Sequence, residues 1–147
     1  MEAPPTPAIL LDTNVLVSAV QSVPRVTDSL RLLVHLLAAD VRLVGNELLA
    51  EEYLRYAQLL PSPTATAVAA SILGTLEIIR VEERFVLACT PYFGGKKRKD
   101  GVHAATCLQR GATLVSNDHD FDAVDRAGVI RRMTISEAVR RWLPGRR

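Results

Sequence analysis

A chain of 147 residues has the size of one ordinary domain, and 48% hydrophobic with 23% charged residues is the balance of a packed globular core, not of a disordered segment. A net charge of +2 selects no partner by itself, and two cysteines, Cys89 and Cys107, are too few to staple the domain or to build a zinc site, so both are expected as reduced core thiols. No stretch approaches the ~20 apolar residues needed to span a bilayer, and MEAPPTPAILLDTN has an acid and prolines where a secretory leader needs a basic start, so a cytoplasmic location is expected.

Along the chain, short apolar runs alternate with longer helical patterns. Ala8 to Leu11 reads as a buried strand, and Val15 to Val20 as the start of a helix that stops before Pro24. Thr27 can cap a second helix in which Leu30, Leu33, Val34 and Leu37 recur at helical spacing, and Val41 to Val44 follows as a strand. Asn46 is a natural N-cap for a helix from Glu47 to about Leu60, ended by Pro61 and Pro63. A small-residue helix spans Thr64 to Leu73, then a strand near Glu77 to Val81 and a helix near Glu83 to Tyr92. After the Gly94–Gly95 loop, Asp100 begins a helix to Arg110 that Gly111 closes, and Ala112 to Ser116 is an apolar strand. A short helix around Phe121 to Arg126 leads to an edge strand at Val129 and Ile130, and Thr134 with Glu137 form a capping box for a last helix ended by Pro144 and Gly145. Such alternation predicts a single three-layer α/β/α domain over residues 1–147, with a central, mostly parallel sheet of four to five strands.

In sheets of this kind ligands bind beyond the carboxyl ends of the strands. Asp12 directly follows AILL, and Asp118 follows ATLVS by two residues. On the helix after Asn46, Glu47, Glu51 and Arg55 form a solvated face with an ordinary ion-pair option. Glu52 instead shares its face with Leu48, Leu49, Tyr56 and Leu59, where an uncompensated carboxylate costs several kcal/mol. Asp100 heads a buried face of Ala104, Cys107 and Leu108, although a first-turn acid also suits the helix dipole. Asp118 and Asp120 in SNDHDF, like Asn14 in LDTN, have a plain reading as turn or cap residues. Together these acids would repel one another unless a divalent cation relieved them, and oxygen-only ligation favours Mg²⁺ or Mn²⁺ over zinc.

The blocks ILLDTNVLVSA (9–19), NELLAEEY (46–53), KDGVHAATCLQRGATLVSNDHDF (99–121) and VIRRMTISEAV (129–139) resemble the PIN domain nucleases, many of which are the toxins of VapBC toxin-antitoxin pairs. The resemblance runs almost end to end and implies catalytic, metal-binding acids at Asp12, Asp100 and Asp118, with Asp120 as an extra ligand or a contact through water. The family's second acid falls at Glu51 or Glu52, and the face argument selects Glu52, as a metal ligand or a positioner of the attacking water. Thr13, Asn14, His103, Ser116 and Asn117 stand beside these acids as supporting polar groups. The run Lys96, Lys97, Arg98 and Lys99 is more basic than the family leads one to expect and is the candidate RNA contact.

What the resemblance implies is a ribonuclease using one or two ions of Mg²⁺ or Mn²⁺, a homodimer, and a small antitoxin covering the acidic groove. The rivals are a PIN-like module that binds RNA or protein without turnover, and a housekeeping RNA-processing nuclease. A receiver-like domain would want adjacent acids after the first strand, and a haloacid-dehalogenase-type phosphatase would want D-x-D there, where Asn14 stands instead.

Overall fold

A computed structural model describes residues 6–21, 25–60, 62–94, 98–143 and 145. Pro24, Pro61, Gly95, Lys96, Lys97, Pro144, Arg146 and Arg147 lie outside the described residues. Five strands, β1 (Ala8–Leu11), β2 (Arg42–Gly45), β3 (Glu77–Ile78), β4 (Thr113–Val115) and β5 (Arg131–Met133), form one sheet in the order β3-β2-β1-β4-β5. Every neighbouring pair is parallel. The central strands are apolar throughout because both faces are covered: Ile9, Leu10, Leu11, Leu43, Val44, Leu114 and Val115 are all buried. Each such side chain contributes about 1.5–3 kcal/mol relative to exposure.

Helices α1 (Thr13–Val20) and α2 (Asp28–Ala38) join β1 to β2, and α3 (Glu47–Leu59) and α4 (Pro63–Thr75) join β2 to β3. Helices α5 (Glu83–Cys89) and α6 (Arg98–Arg110) then carry the chain back across the sheet to β4, and α7 (Asp122–Arg126) leads to β5. Parallel crossovers are right-handed, so connections stepping in opposite directions lie on opposite faces. Accordingly α1, α2 and α4 pack together, α5 packs on α6, and the final helix α8 (Ile135–Trp142) returns to α2. The result is the three-layer α/β/α architecture with a fully parallel sheet. Strand order reverses direction between β1 and β4, which opens a crevice at their carboxyl ends.

Local chemistry fixes the ends of the elements. Thr27, Asn46, Ser62 and Thr134 each accept a backbone N–H as N-caps, and Thr134 and Glu137 form the reciprocal capping box. Gly111 adopts φ 65° after α6, and the Ala112 N–H bonds back to the Cys107 carbonyl. Cys89 and Cys107 are both buried and unbridged. Three sequence expectations are corrected. The edge strand is Arg131–Met133 instead of Val129 and Ile130, because the turn at Gly128 (φ 74°) delays pairing; Ile130 is buried before the strand begins. Helix α6 starts at Arg98, so Asp100 sits within its first turn. Leu59 leaves the buried face of α3 and is 68% exposed, and the face that packs is Leu49, Glu52 and Tyr53.

Candidate metal centre

Register places the first two polar loops side by side. Leu11 pairs with Val115, so Asp12 lies next to Ser116, and its N–H donates to the Val115 carbonyl at 3.1 Å. The Ser116 hydroxyl, fully buried, accepts from Asn14 Nδ2 at 3.1 Å and from the Asp118 N–H at 3.0 Å. Both of those are obligate donors, so the serine's own hydrogen goes to Asp12 Oδ2, 2.7 Å away. Burial raises the Asp12 pKa above its ordinary value, and this hydrogen bond only partly offsets the effect. Asn14 Oδ1 is a buried acceptor with no partner among the described residues.

Asp118 caps the single turn His119–Phe121, accepting the Asp120 N–H at 2.9 Å, which swings the Asp118 and Asp120 side chains toward the start of α6. Ligand atoms of Asp100, Asp118 and Asp120 then lie within 4.8 Å of one another. Burial, and next the charges of Asp118 and Asp120, push the Asp100 carboxyl up to about 6. Among the described residues, no lysine or arginine forms an ion pair with Asp12, Asp100 or Asp118.

Glu52 reaches the same place from α3. Its Oε2 accepts from Thr13 Oγ1 at 3.1 Å, while Oε1 faces His103 Nε2 at 3.3 Å and Lys99 Nζ at 3.4 Å. Burial alone would raise its pKa; the His103 hydrogen bond, with the charges of His103 and Lys99 and the Thr13 bond, outweighs burial and holds it below the ordinary value. A cavity of about 350 Å³ is lined by Asp12, Thr13, Asn14, Glu52, Lys99, Asp100, His103 and Asp118. Glu51 faces elsewhere, lining a cavity of about 680 Å³ with Glu47, Glu83 and Arg98. Asn117 is turned away and accepts the Ile135 N–H at 2.8 Å, fastening the start of α8.

Two residues that sequence reasoning passed over hold this arrangement. Tyr53, fully buried, donates its hydroxyl to the Leu11 carbonyl at 2.7 Å and so locks α3 to the end of β1 beside Asp12. The apolar spacing Leu49–Tyr53 one turn apart was the available signal. Tyr53→Phe leaves that carbonyl without its partner and is expected to cost about 1–3 kcal/mol in urea unfolding; an unchanged midpoint would deny the anchor. Arg132, in β5, donates to the Ser116 and Asp118 carbonyls and pairs with Asp122, pinning the acidic turn.

A family model described as the PIN domain matches residues 9–127. The chain belongs to the PIN domain family. Members of this family are generally metal-dependent nucleases. The solved structure of FitAB bound to an IR36 DNA fragment is similar to this PIN domain in fold, at 24% identity and a TM-score of 0.57, covering 86% of this chain and 94% of that one. No curated protein matches the chain. The donor chemistry of this PIN domain fits a hard divalent cation: three carboxylates offer oxygens close together, the charges of Asp118 and Asp120 raise the proton affinity of Asp100, and a dication in the same place removes that cost. No described helix is long and apolar enough to cross a membrane.

Proposed function

We propose that this PIN domain is an endoribonuclease dependent on Mg²⁺ or Mn²⁺, acting in the cytoplasm as a VapC-like toxin that forms a homodimer and is restrained by a small antitoxin. The observation that carries the reading is the carboxylate group of Asp100, Asp118 and Asp120 at the reversal point of the sheet, of which Asp100 and Asp118 line the same crevice as Asp12 and Glu52. FitAB, similar in fold, is bound to a DNA fragment, and nucleic acid as a ligand is in keeping with this reading.

In this reading Asp100, Asp118 and Asp120 hold the cation and Asp12 adds a fourth carboxylate to the crevice. The ion supplies Lewis acidity at the scissile phosphate and lowers the pKa of the attacking water. Glu52 orients that water and takes up its proton, and Thr13 and Ser116 hold the two carboxylates beside them in place. Arg98 and Lys99 at the head of α6, with Lys96 and Lys97 in the run before it, contact RNA phosphates, which makes binding weaken steeply with salt.

The test is cleavage of single-stranded RNA by wild type and Asp12→Ala with Mn²⁺, with Mg²⁺ and with EDTA. Wild type should cut only with metal, and Asp12→Ala should not cut. Equal cleavage by both proteins, or cleavage in EDTA, would overturn the reading; loss of cutting with intact RNA binding in every condition would favour the non-catalytic module.

A further inference from the structure

Behind the crevice lies a buried polar chain with one consistent assignment of hydrogens. Asn46 caps α3 by accepting the Leu49 N–H on Oδ1 at 2.9 Å, which turns its NH₂ toward α6. There it donates to Thr106 Oγ1 at 2.9 Å and faces His103 Nδ1 at 3.0 Å. Thr106 can accept because its own hydrogen goes to the Val102 carbonyl at 2.8 Å. An amide NH₂ offers only hydrogens, so Nδ1 of His103 must accept and the ring proton sits on Nε2, where it is donated to Glu52 Oε1. Asn46, His103, Thr106 and Glu52 are all buried, so none of these bonds is exchanged casually for water.

Glu52 is thereby clamped from two elements, by Thr13 on α1 and by His103 and Lys99 on α6. Of its roughly four acceptor sites, three are taken and one is left. Its carboxylate lines the crevice but stands outside the group formed by Asp100, Asp118 and Asp120. We propose that Asn46 and His103 are positioning residues that act through Glu52, fixing this carboxylate at the edge of the crevice as an acceptor for the attacking water and keeping it out of the metal-ligand set. The proposal rests on the nuclease reading for its activity readout alone; its structural content is tested without turnover.

Asn46→Asp separates the roles. Aspartate still caps Leu49, but it presents a carboxylate oxygen to Nδ1 in place of the NH₂; with a carboxylate at each ring nitrogen His103 takes a second proton, and Glu52, now paired to a cation, becomes a poorer acceptor for the proton of the attacking water. Nitrogen NMR of metal-free wild type should show His103, assigned by its disappearance in His103→Gln, with Nε2 protonated and Nδ1 bare; Asn46→Asp should show both nitrogens protonated. In RNA cleavage, Asn46→Asp and His103→Leu should lose about 10- to 100-fold in kcat with KM little changed, while Mn²⁺ affinity by calorimetry stays within about threefold. His103→Gln, which retains an N–H for Glu52, should recover most of the rate.

A bare Nε2 in wild type, a wild-type kcat in His103→Leu, or a loss of Mn²⁺ affinity that parallels kcat would each overturn the proposal. If wild type cuts no RNA, the nuclease reading fails separately, and the nitrogen spectrum with the Mn²⁺ affinity of Glu52→Gln decides: protonated Nε2 and unchanged affinity support a clamped carboxylate outside the ligand set, whereas lost affinity makes Glu52 a ligand.

Discussion

Asp100→Asn is expected to reduce RNA cleavage about a thousandfold, equivalent to roughly 4 kcal/mol of transition-state stabilisation, and at the same time to make the metal-free protein more stable at neutral pH. Both effects come from one cause. Burial and the neighbouring Asp118 and Asp120 push Asp100 up to about 6 from an ordinary 3.8, so the folded state binds this proton more tightly than the unfolded chain does. Stability associated with the protonated group is full below pH 3.8 and is lost as pH rises through about 6. Asparagine removes that loss. In EDTA, the variant's urea midpoint should exceed that of wild type above pH 6 and match it near pH 3.5. With Mn²⁺ the order should invert, because wild type gains binding energy that the variant cannot. Mn²⁺ affinity of the wild type should itself weaken as pH falls below about 6, where a proton competes for Asp100. A variant no more stable than wild type in EDTA, at any pH, would remove the case for a repulsive carboxylate cluster.

Ser116→Ala is expected to lose about 3 kcal/mol of stability, a large effect for the removal of one oxygen. That oxygen satisfies the Asn14 amide and the Asp118 N–H and donates to Asp12, in a position with no exposure to solvent. Its loss strands two donors and withdraws the one hydrogen bond from Ser116 that opposes burial at Asp12, so the Asp12 pKa rises further and the acidic limb of the cleavage profile moves to higher pH. Urea unfolding and the pH profile of kcat/KM check the two halves. A destabilised variant with an unmoved profile would detach Ser116 from Asp12.

The parts of the fold that sequence made legible are those where one physical pattern dominates. AILL and TLV are apolar because a parallel strand is buried on both faces, and the capping residues Thr27, Asn46 and Thr134 announce helices directly. The last edge strand is legible but falls two residues early, at Val129 and Ile130, because β5 itself carries Arg131 and Arg132, the second of which is folded inward to hold the acidic turn; a charged strand has no hydrophobic signature. In the site, the apolar face of α3 distinguishes Glu52 from Glu51, and the two line different cavities. Asp120 read as turn chemistry is also a member of the carboxylate group, since the same backbone turn that Asp118 caps brings the two side chains together. The Asn46–His103 contact joins residues 57 apart in the chain, and the cap alone accounts for only half of the Asn46 amide. No local pattern encodes the other half.

Crystals grown with Mn²⁺ and measured at the manganese absorption edge test the metal centre most directly. The expected result is an anomalous peak about 2.1 Å from carboxylate oxygens of Asp100, Asp118 and Asp120, with Glu52 still bonded to Thr13 and His103. A peak among Glu47, Glu51 and Glu83 instead, or no peak in the crevice at millimolar metal, would contradict a cation site at the reversal point of the sheet.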